Sequence, residues 1–203
     1  MQNILLIANP AAQNGRAADM ARDAEDMLRK ATGANVRLEP TQRARHAELL
    51  AQEAEGYDAV ITLGGDGVIH EAVNGLMRIS EDKRPALGVI PAGSGNDYAR
   101  SLGIPTKHEQ AIERIARDEA RWVDLGQVNG TYFMETLSFG LDAAIAIDTM
   151  ERRKRTGKSG TALYMESGFD QIAHHRDAHA WTASFDGDEP VSSSSITFAV
   201  QLG

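Results

Sequence analysis

The amino-acid sequence predicts an α/β fold, in which helices cover a parallel sheet, followed by the start of a β-rich domain. From residue 3 to residue 117, short apolar runs alternate with amphipathic stretches. Strands that are separated by helices pair in parallel, because the crossover returns the chain to the same end of the sheet. From Trp122 onward the pattern changes to short alternating stretches with hairpin turns, which predicts a second domain of a different type.

The elements of the first domain, residues 1–121, follow from the hydrophobic period. Apolar runs predict strands over residues 3–8, 35–39, 58–63 and 86–90. Amphipathic stretches predict helices over residues 17–31, 44–55, 68–79 and 108–117, with a short helical stretch over 98–102. In the third helix, Ile69, Val73, Leu76 and Met77 share one face, as expected of a helix that packs on a sheet.

The second domain, residues 122–203, is predicted to be β-rich. The Asn129-Gly130 pair between two apolar stretches is a strong hairpin signal, and residues 185–190 form a second predicted turn. Residues 192–195 are predicted to be a solvated loop end, and residues 195–202 a last strand. Because no later strand would cover that edge, we expect the sequence to be a fragment of a longer kinase with an incomplete β-domain.

Composition limits the function classes before any motif is considered. The net charge of −8 argues against bulk binding to nucleic acid, whose affinity rests on neutralising phosphates. The chain has no cysteine and no apolar run of the length that a membrane span needs, so a cytoplasmic protein is expected. His174, His175 and His179 lie in no metal-binding motif and are expected to be ordinary surface or core histidines.

Three loops rich in glycine, proline or asparagine each follow a predicted strand of the first domain. They span residues 9–16, 63–67 and 90–97. Because ligands bind at the carboxyl ends of the strands in open parallel sheets, we expect these loops to converge on one crevice. Glycines there let backbone N–H groups approach a phosphate, and the N-terminus of the next helix adds a positive dipole.

Asp66 is the unusual residue of the central loop. Bound phosphates repel a neighbouring carboxylate unless it holds a metal ion or accepts a proton, so its presence indicates chemistry. The alternative is that Asp66 only caps a helix, which is a common use of aspartate.

Taken together, these residues resemble the diacylglycerol kinase catalytic domain, a family that includes bacterial diacylglycerol and other lipid kinases, sphingosine kinases and ceramide kinases. The likeness covers residues 3–145. It rests on the Asn9-Pro10 loop, Gly64-Gly65-Asp66-Gly67 with Glu71 and Asn74-Gly75-Leu76 in the next helix, the run from Pro91 to Arg100, and Phe139-Gly140-Leu141-Asp142-Ala143. The double-glycine motif is shared with NAD kinases and phosphofructokinases, whereas the motif from Pro91 is specific for the lipid kinases.

The resemblance implies a lipid kinase that transfers the γ-phosphate of ATP to a hydroxyl of a diacylglycerol-like or sphingoid-like lipid. It also implies an N-terminal α/β domain and a C-terminal β-sandwich, with ATP and Mg²⁺ in the cleft between them, and it leaves the metal ligands unassigned. Asp66 is the implied catalytic residue, as proton acceptor or as organiser of the metal, and Asp97 and Asp142 are implied to face the substrate. The implied nucleotide-binding residues are Asn9, Pro10, Thr41, Gly64, Gly65, Asp66, Gly67, Val68, Glu71, Gly93, Ser94, Gly95 and Asn96.

Two features depart from the family pattern. Val68 stands where the family usually has threonine, which removes a hydroxyl that can contact phosphate, unless Val68 points into the core, where valine packs well. The glycine-rich and acidic motifs of the late β-sandwich are absent, because the sequence ends at Gly203. A soluble kinase of the NAD kinase type and a catalytically silent nucleotide-binding module therefore stay open as alternatives.

A dense basic run distinguishes the second domain of this acidic chain. Its members are Arg152, Arg153, Lys154, Arg155 and Lys158. The run is either a solvated loop or a peripheral contact with the inner face of the membrane, where a lipid kinase meets its substrate. The lipid substrate is the expected partner, nucleic acid is not, and a homodimer is compatible with the sequence.

Overall fold

The computed structural model describes residues 1–10, 17–158, 160–174 and 176–202 of the 203-residue chain. The chain forms two compact units, Met1–Met134 and Glu135–Gly203. Of the loop predicted over residues 9–16, only Asn9 and Pro10 are described, and His175 also lies outside the described residues.

The first unit is a parallel α/β domain, which confirms the predicted fold class. Its four strands lie in the order β2-β1-β3-β4, all parallel. They are β1 Asn3–Ala8, β2 Asn35–Pro40, β3 Ala59–Gly64 and β4 Ala86–Pro91. The helices are α1 Ala17–Thr32, α2 His46–Gln52, α3 Asp66–Leu76, α4 Asp97–Ser101 and α5 His108–Ala116, with a 3-10 turn at Glu81–Lys83 and a hairpin of β5 Gly126–Val128 and β6 Thr131–Phe133.

Alternate side chains of the strands enter two separate cores, one on each face of the sheet. In β1, Leu6 belongs to the core that contains Leu28 of α1 and Ile112 of α5, while Ile7 belongs to the core that contains Ile69 of α3. All five side chains are at most 2% exposed. Because burying a large aliphatic side chain contributes about 1.5–3 kcal/mol, the two cores hold the strands, and the loops that follow them, in a fixed order.

The hairpin β5–β6 belongs to the first unit, so the division of the chain falls after Met134, later than the predicted residue 122. The physical cause is the buried amide of Asn74 in α3. Its Oδ1 accepts a hydrogen bond from Tyr132 N at 2.9 Å, and its Nδ2 donates to Tyr132 O at 3.0 Å. This side chain therefore pairs with β6 as a neighbouring strand would, a contact between distant residues that no local pattern reveals.

The second unit contains antiparallel strands, as predicted, together with two long helices that the sequence pattern does not reveal. Its elements are β7 Thr136–Gly140, α6 Leu141–Thr156, α7 Thr161–His174, β8 His179–Ala183, β9 Val191–Ser195 and β10 Thr197–Gln201. Among the described side chains of these helices, only Thr149, Leu163 and Ser167 are buried. Because so few residues face a core, the sequence shows no apolar stripe from which the helices could be predicted. No helix in the described ranges has both the length and the apolar character to cross a membrane.

Two sequence predictions for the second unit are wrong. Residues 192–195 are not a loop end, because they pair antiparallel with β8 as part of strand β9. The basic run does not begin in a loop, because Arg152 to Arg155 lie in α6. The predicted last strand is present as β10, and it pairs with β7, so that Phe198 lies opposite Phe139.

Arg152 connects α6 to α7 through ion pairs, which the other residues of the basic run do not form with any residue that the structure describes. Its guanidinium forms ion pairs with Asp148 at 2.6 Å, with Glu166 at 3.0 Å and with Asp170 at 2.6 Å. The Arg152 side chain is only 16% exposed. The charge of Arg152 is therefore neutralised within the second unit.

We expect Arg152→Met to lower the melting temperature of the chain, because Asp148, Glu166 and Asp170 would lose their shared cation and repel one another. The matched control is Arg153→Met, which removes the same charge from the next residue, an exposed side chain. Differential scanning calorimetry of both variants measures the difference. Equal melting temperatures for the two variants would contradict a structural role for Arg152.

Candidate active site

The loops after the four strands leave the sheet at one edge, as the sequence predicts. Two of them begin with a backbone hydrogen bond to β3, from Asn9 N to Leu63 O at 3.0 Å and from Ala92 N to Gly64 O at 2.8 Å. The loop after β2 begins in the same way, because Thr41 N donates to the last residue of β1 at 2.8 Å. Asn9, Thr41 and the two glycine-rich loops therefore start side by side.

The loops after β3 and β4 touch through their glycines. A Cβ atom on Gly65 would lie 3.0 Å from the Cα atom of Gly93, and a Cβ atom on Gly93 would collide with the Cα atom of Gly65. Only residues without a side chain allow the two backbones to come this close. Gly67, by contrast, faces open space, with nothing within 4 Å of where a Cβ would stand.

Asn96 closes the second loop. Its Oδ1 accepts a hydrogen bond from Gly93 N at 2.8 Å, and its Nδ2 donates to Gly93 O at 3.1 Å. Its backbone is left-handed, with φ at 56°, a conformation that asparagine tolerates better than most residues. The side chain of Asn96 is thus used to hold Gly93 in place, and its contribution to a nucleotide site would be indirect.

Asp66 reaches from the first glycine-rich loop to the second. Its Oδ1 accepts a hydrogen bond from Tyr98 N at 3.1 Å, at the start of α4. Its other oxygen, Oδ2, lies 3.2 Å from where a Cβ of Gly95 would stand. Asp66 therefore caps a helix, which is the alternative role stated above. The helix that it caps is α4, and only the Oδ1 atom takes part. The second oxygen lies beside the glycines.

A second carboxylate, that of Asp97, lies beside the same point of Gly95 as the carboxylate of Asp66. Its Oδ2 is 2.8 Å from where a Cβ of Gly95 would stand, and its Oδ1 pairs with Arg100 at 2.7 Å. Arg100 also donates to Gly95 O at 2.9 Å, so it braces the loop from outside. Arg100 is a further residue of this site, and its spacing of three from Asp97 on a short helix is the sequence signal for such a pair. Ser94, at the tip of the loop, is exposed.

Val68 is buried in the core of the first unit. Its side chain is 6% exposed, and its Cγ1 atom fills the space that a Cβ on Gly64 would need. The structure therefore agrees with the second of the two alternatives for this residue, because its side chain packs in the core. Gly64 is needed for the same reason, since any side chain there would displace Val68.

Comparison with known proteins now gives the family. Residues 3–128 match the diacylglycerol kinase catalytic domain. The chain belongs to the diacylglycerol kinase catalytic domain family. It is 36% identical over 146 residues to the protein named probable lipid kinase YegS-like of Chromohalobacter salexigens, covering 70% of this chain and 47% of that protein. It is 39% identical over 130 residues to a diacylglycerol kinase of Bacillus subtilis, covering 64% of this chain and 41% of that kinase.

This member of the diacylglycerol kinase family thus spans less than half the length of these two relatives. A solved structure of a diacylglycerol kinase from Bacillus anthracis matches it with a TM-score of 0.75 at 24% identity, covering 98% of this chain and 63% of that chain. A likeness at this identity establishes the fold, and it agrees with the mixed α/β architecture described above.

In this family member, we expect Val68→Thr to lower the free energy of unfolding by about 1–3 kcal/mol, because it buries a hydroxyl without a partner. ATP affinity should not change, since the side chain faces the core. The control is Val123→Thr at a position that is 40% exposed, where a hydroxyl meets water. Denaturant unfolding and ATP titration of both variants provide the measurements. Tighter ATP binding by Val68→Thr would show instead that the side chain of residue 68 faces the phosphates.

Glu71 has a structural use that the family resemblance does not suggest. Its Oε1 accepts a hydrogen bond from Arg45 N at 2.8 Å, and its Oε2 accepts one from Ala47 N at 3.2 Å. Both oxygens therefore satisfy backbone N–H groups at the start of α2. The carboxylate thus fixes one helix to another, and its place around the phosphates stays a prediction.

Asp142, the other substrate-side expectation, lies in the second unit at the start of α6. Its backbone N donates to Thr197 Oγ1 at 3.2 Å, and its Oδ1 lies 3.4 Å from the Tyr164 hydroxyl. Burial, and after it the negative charge of Asp142, raise the pKa of Tyr164. Tyr164 therefore stays protonated and donates its hydroxyl proton to Asp142. The expected contact of Asp142 with the substrate stays a prediction.

A magnesium ion fits the two carboxylates beside Gly95. Among the residues that the structure describes, no group of three or more His, Cys, Asp or Glu could hold a metal ion. Mg²⁺ does not need such a group, because it is usually bound by one or two carboxylates together with substrate phosphates and water. Asp66 and Asp97 present two carboxylates to one glycine-lined loop, which meets this requirement.

Proposed function

We propose that this chain provides the ATP site and the general base of a lipid kinase, which transfers the γ-phosphate of ATP to a hydroxyl of diacylglycerol or a related lipid. The observation that carries the proposal is the contact of Gly65 with Gly93, with the carboxylate of Asp66 beside it. Family membership supports the reaction class.

The phosphates of ATP would lie over the two touching glycine loops. Backbone N–H groups at the start of α3 supply donors there, and an eleven-residue helix directs its positive end toward the phosphates. Gly67 leaves open space on the same loop, which lets a phosphate oxygen approach the backbone. Asp97 would hold Mg²⁺ together with the phosphates and water, and the ion would neutralise phosphate charge when it is bound.

Asp66 is suited to accept the proton of the lipid hydroxyl. The hydroxyl oxygen forms a bond to the γ-phosphorus as the bond from that phosphorus to the β–γ bridging oxygen breaks, and ADP leaves with that oxygen. The hydroxyl proton moves to Asp66 Oδ2. Because Tyr98 N fixes Oδ1, the position of Oδ2 is set before substrate arrives, which favours positioned proton transfer.

A transfer assay tests the proposal. The complete gene product is incubated with radiolabelled ATP, Mg²⁺ and a total lipid extract, and the labelled product is identified by mass. We expect label in a phosphorylated lipid. Label transferred only to NAD would instead support a soluble kinase of the NAD kinase type. ATP binding without any transfer would support a catalytically silent nucleotide-binding module.

A further inference from the structure

The exposed side of α6 carries apolar and cationic side chains together. Ile147 and Met150 are each 55% exposed, and Lys154 follows on the same face, since residues three and four apart are neighbours on a helix. Arg153 and Arg155 flank this line, and both are exposed. With Lys158 beyond the helix end, these six residues form what we call the α6 surface.

The opposite side of α6 is already occupied. Arg152 and Asp148 face α7, where Arg152 meets two further carboxylates. Ile147, Met150, Arg153 and Lys154 therefore lie on the side of the helix that points away from α7, whereas Arg155, seven residues after Asp148, lies at the border of the side that Asp148 occupies. The ion pairs fix which side of the helix is exposed, because a rotation of α6 about its axis would break the two that join Arg152 to Glu166 and Asp170 of α7.

The α6 surface is cationic within an acidic protein. Arg153, Lys154, Arg155 and Lys158 form no ion pair with any side chain in the described part of the chain, and the only acidic side chain between them and Met150 is Glu151. The net charge of the whole sequence is −8. Positive charge is thus concentrated beside two exposed apolar side chains, and the long stems of lysine and arginine can extend the apolar area.

We propose that the α6 surface is the place where this protein lies on an anionic lipid bilayer. Ile147 and Met150 would enter the boundary between headgroups and acyl chains, as the apolar face of an interfacial helix does. The cations would meet the anionic headgroups, which attract basic side chains within about a Debye length of the membrane. The inference deepens the proposed function and rests on it, because a lipid kinase has to reach a substrate that stays in the membrane.

Vesicle sedimentation tests this proposal without measuring turnover. The complete gene product is mixed with vesicles of phosphatidylcholine alone, or of phosphatidylcholine and phosphatidylglycerol in equal amounts. We expect binding to the mixed vesicles that weakens as salt is raised. The variant Arg153→Glu/Lys154→Glu/Arg155→Glu should bind the mixed vesicles at least about tenfold more weakly, since each cation near the surface contributes to binding. Ile147→Gln/Met150→Gln should weaken binding at every salt concentration.

The matched control reverses three exposed cations of the first unit, as Arg22→Glu/Lys30→Glu/Arg117→Glu, with the same change in net charge. Equal loss of binding in the control would show a general charge effect and overturn the proposal, as would absence of binding by the unaltered protein. Size-exclusion chromatography adds a further outcome: dissociation of a dimer by Ile147→Gln/Met150→Gln would assign the surface to a second copy. Failure of the kinase proposal would be visible separately, as membrane binding without phosphate transfer.

Discussion

Asp66→Asn is expected to lower turnover of the complete gene product at least about a hundredfold, the usual scale for losing a positioned base. The asparagine keeps an acceptor for Tyr98 N in its Oδ1 atom, so α4 stays capped. Its Nδ2 atom replaces the oxygen beside Gly95 and cannot accept a proton. We therefore expect a loss of kcat with a nearly unchanged melting temperature, measured by steady-state kinetics and thermal unfolding.

Asp82→Asn is the control for this variant, because Asp82 is an exposed carboxylate in the 3-10 turn after α3. It should leave turnover unchanged. Turnover of Asp66→Asn close to that of the control would remove Asp66 from the reaction and leave it only as the cap of α4. A large fall in melting temperature would instead mean that the carboxylate is needed for the fold, and the kinetic loss would then say nothing about catalysis.

Gly93→Ala should weaken ATP binding by between about tenfold and a hundredfold, the range that follows from losing one hydrogen bond to a charged group. The added Cβ would collide with the Cα atom of Gly65 and would come 2.9 Å from Asn96 Oδ1. No side-chain rotation relieves a collision with backbone, so the two loops have to separate. We also expect a loss of about 1–3 kcal/mol in the free energy of unfolding, as for other overpacked sites.

Gly67→Ala supplies the comparison, in the loop after β3 that Gly93 touches through Gly65. Its Cβ would meet nothing within 4 Å, and alanine favours a helix over glycine by up to about 1 kcal/mol, so stability should be equal or higher. Isothermal titration with ATP and denaturant unfolding of both variants measure the two effects. Normal ATP affinity in Gly93→Ala would show that contact between the loops is not required for the site.

The first unit is predictable from the sequence because its elements are marked by local pattern. The apolar run from Ile4 to Ala8 reads as a buried strand, and the glycines after Leu63 and Pro91 mark loops at one edge of a parallel sheet. The contact of Gly65 with Gly93 agrees with that reasoning, since parallel strands place their carboxyl ends together.

Other features depend on contacts between distant residues, and local pattern does not contain them. Glu71 is recognisable as part of a motif, but its use as the cap of α2 depends on Arg45 and Ala47, far away in the sequence. The helices of the second unit bury too few apolar side chains to show a helical period. The structural role of Arg152 within the basic run is likewise hidden in the sequence. Two of the carboxylates that pair with it belong to α7, so the difference from its neighbours is visible only in the folded chain.

The pairing of Asn74 with Tyr132 has a practical consequence for anyone who excises the first unit of the protein. A cut at residue 122 looks natural from the sequence, but it would remove the strand that satisfies the Asn74 amide. Asn74 would then keep only the hydrogen bond from its Nδ2 to His70 O, and each of the two lost bonds to Tyr132 contributes about 0.5–1.5 kcal/mol to stability. An excised domain that ends after Met134 keeps both hydrogen bonds, so Met134 is the boundary to choose for crystallisation.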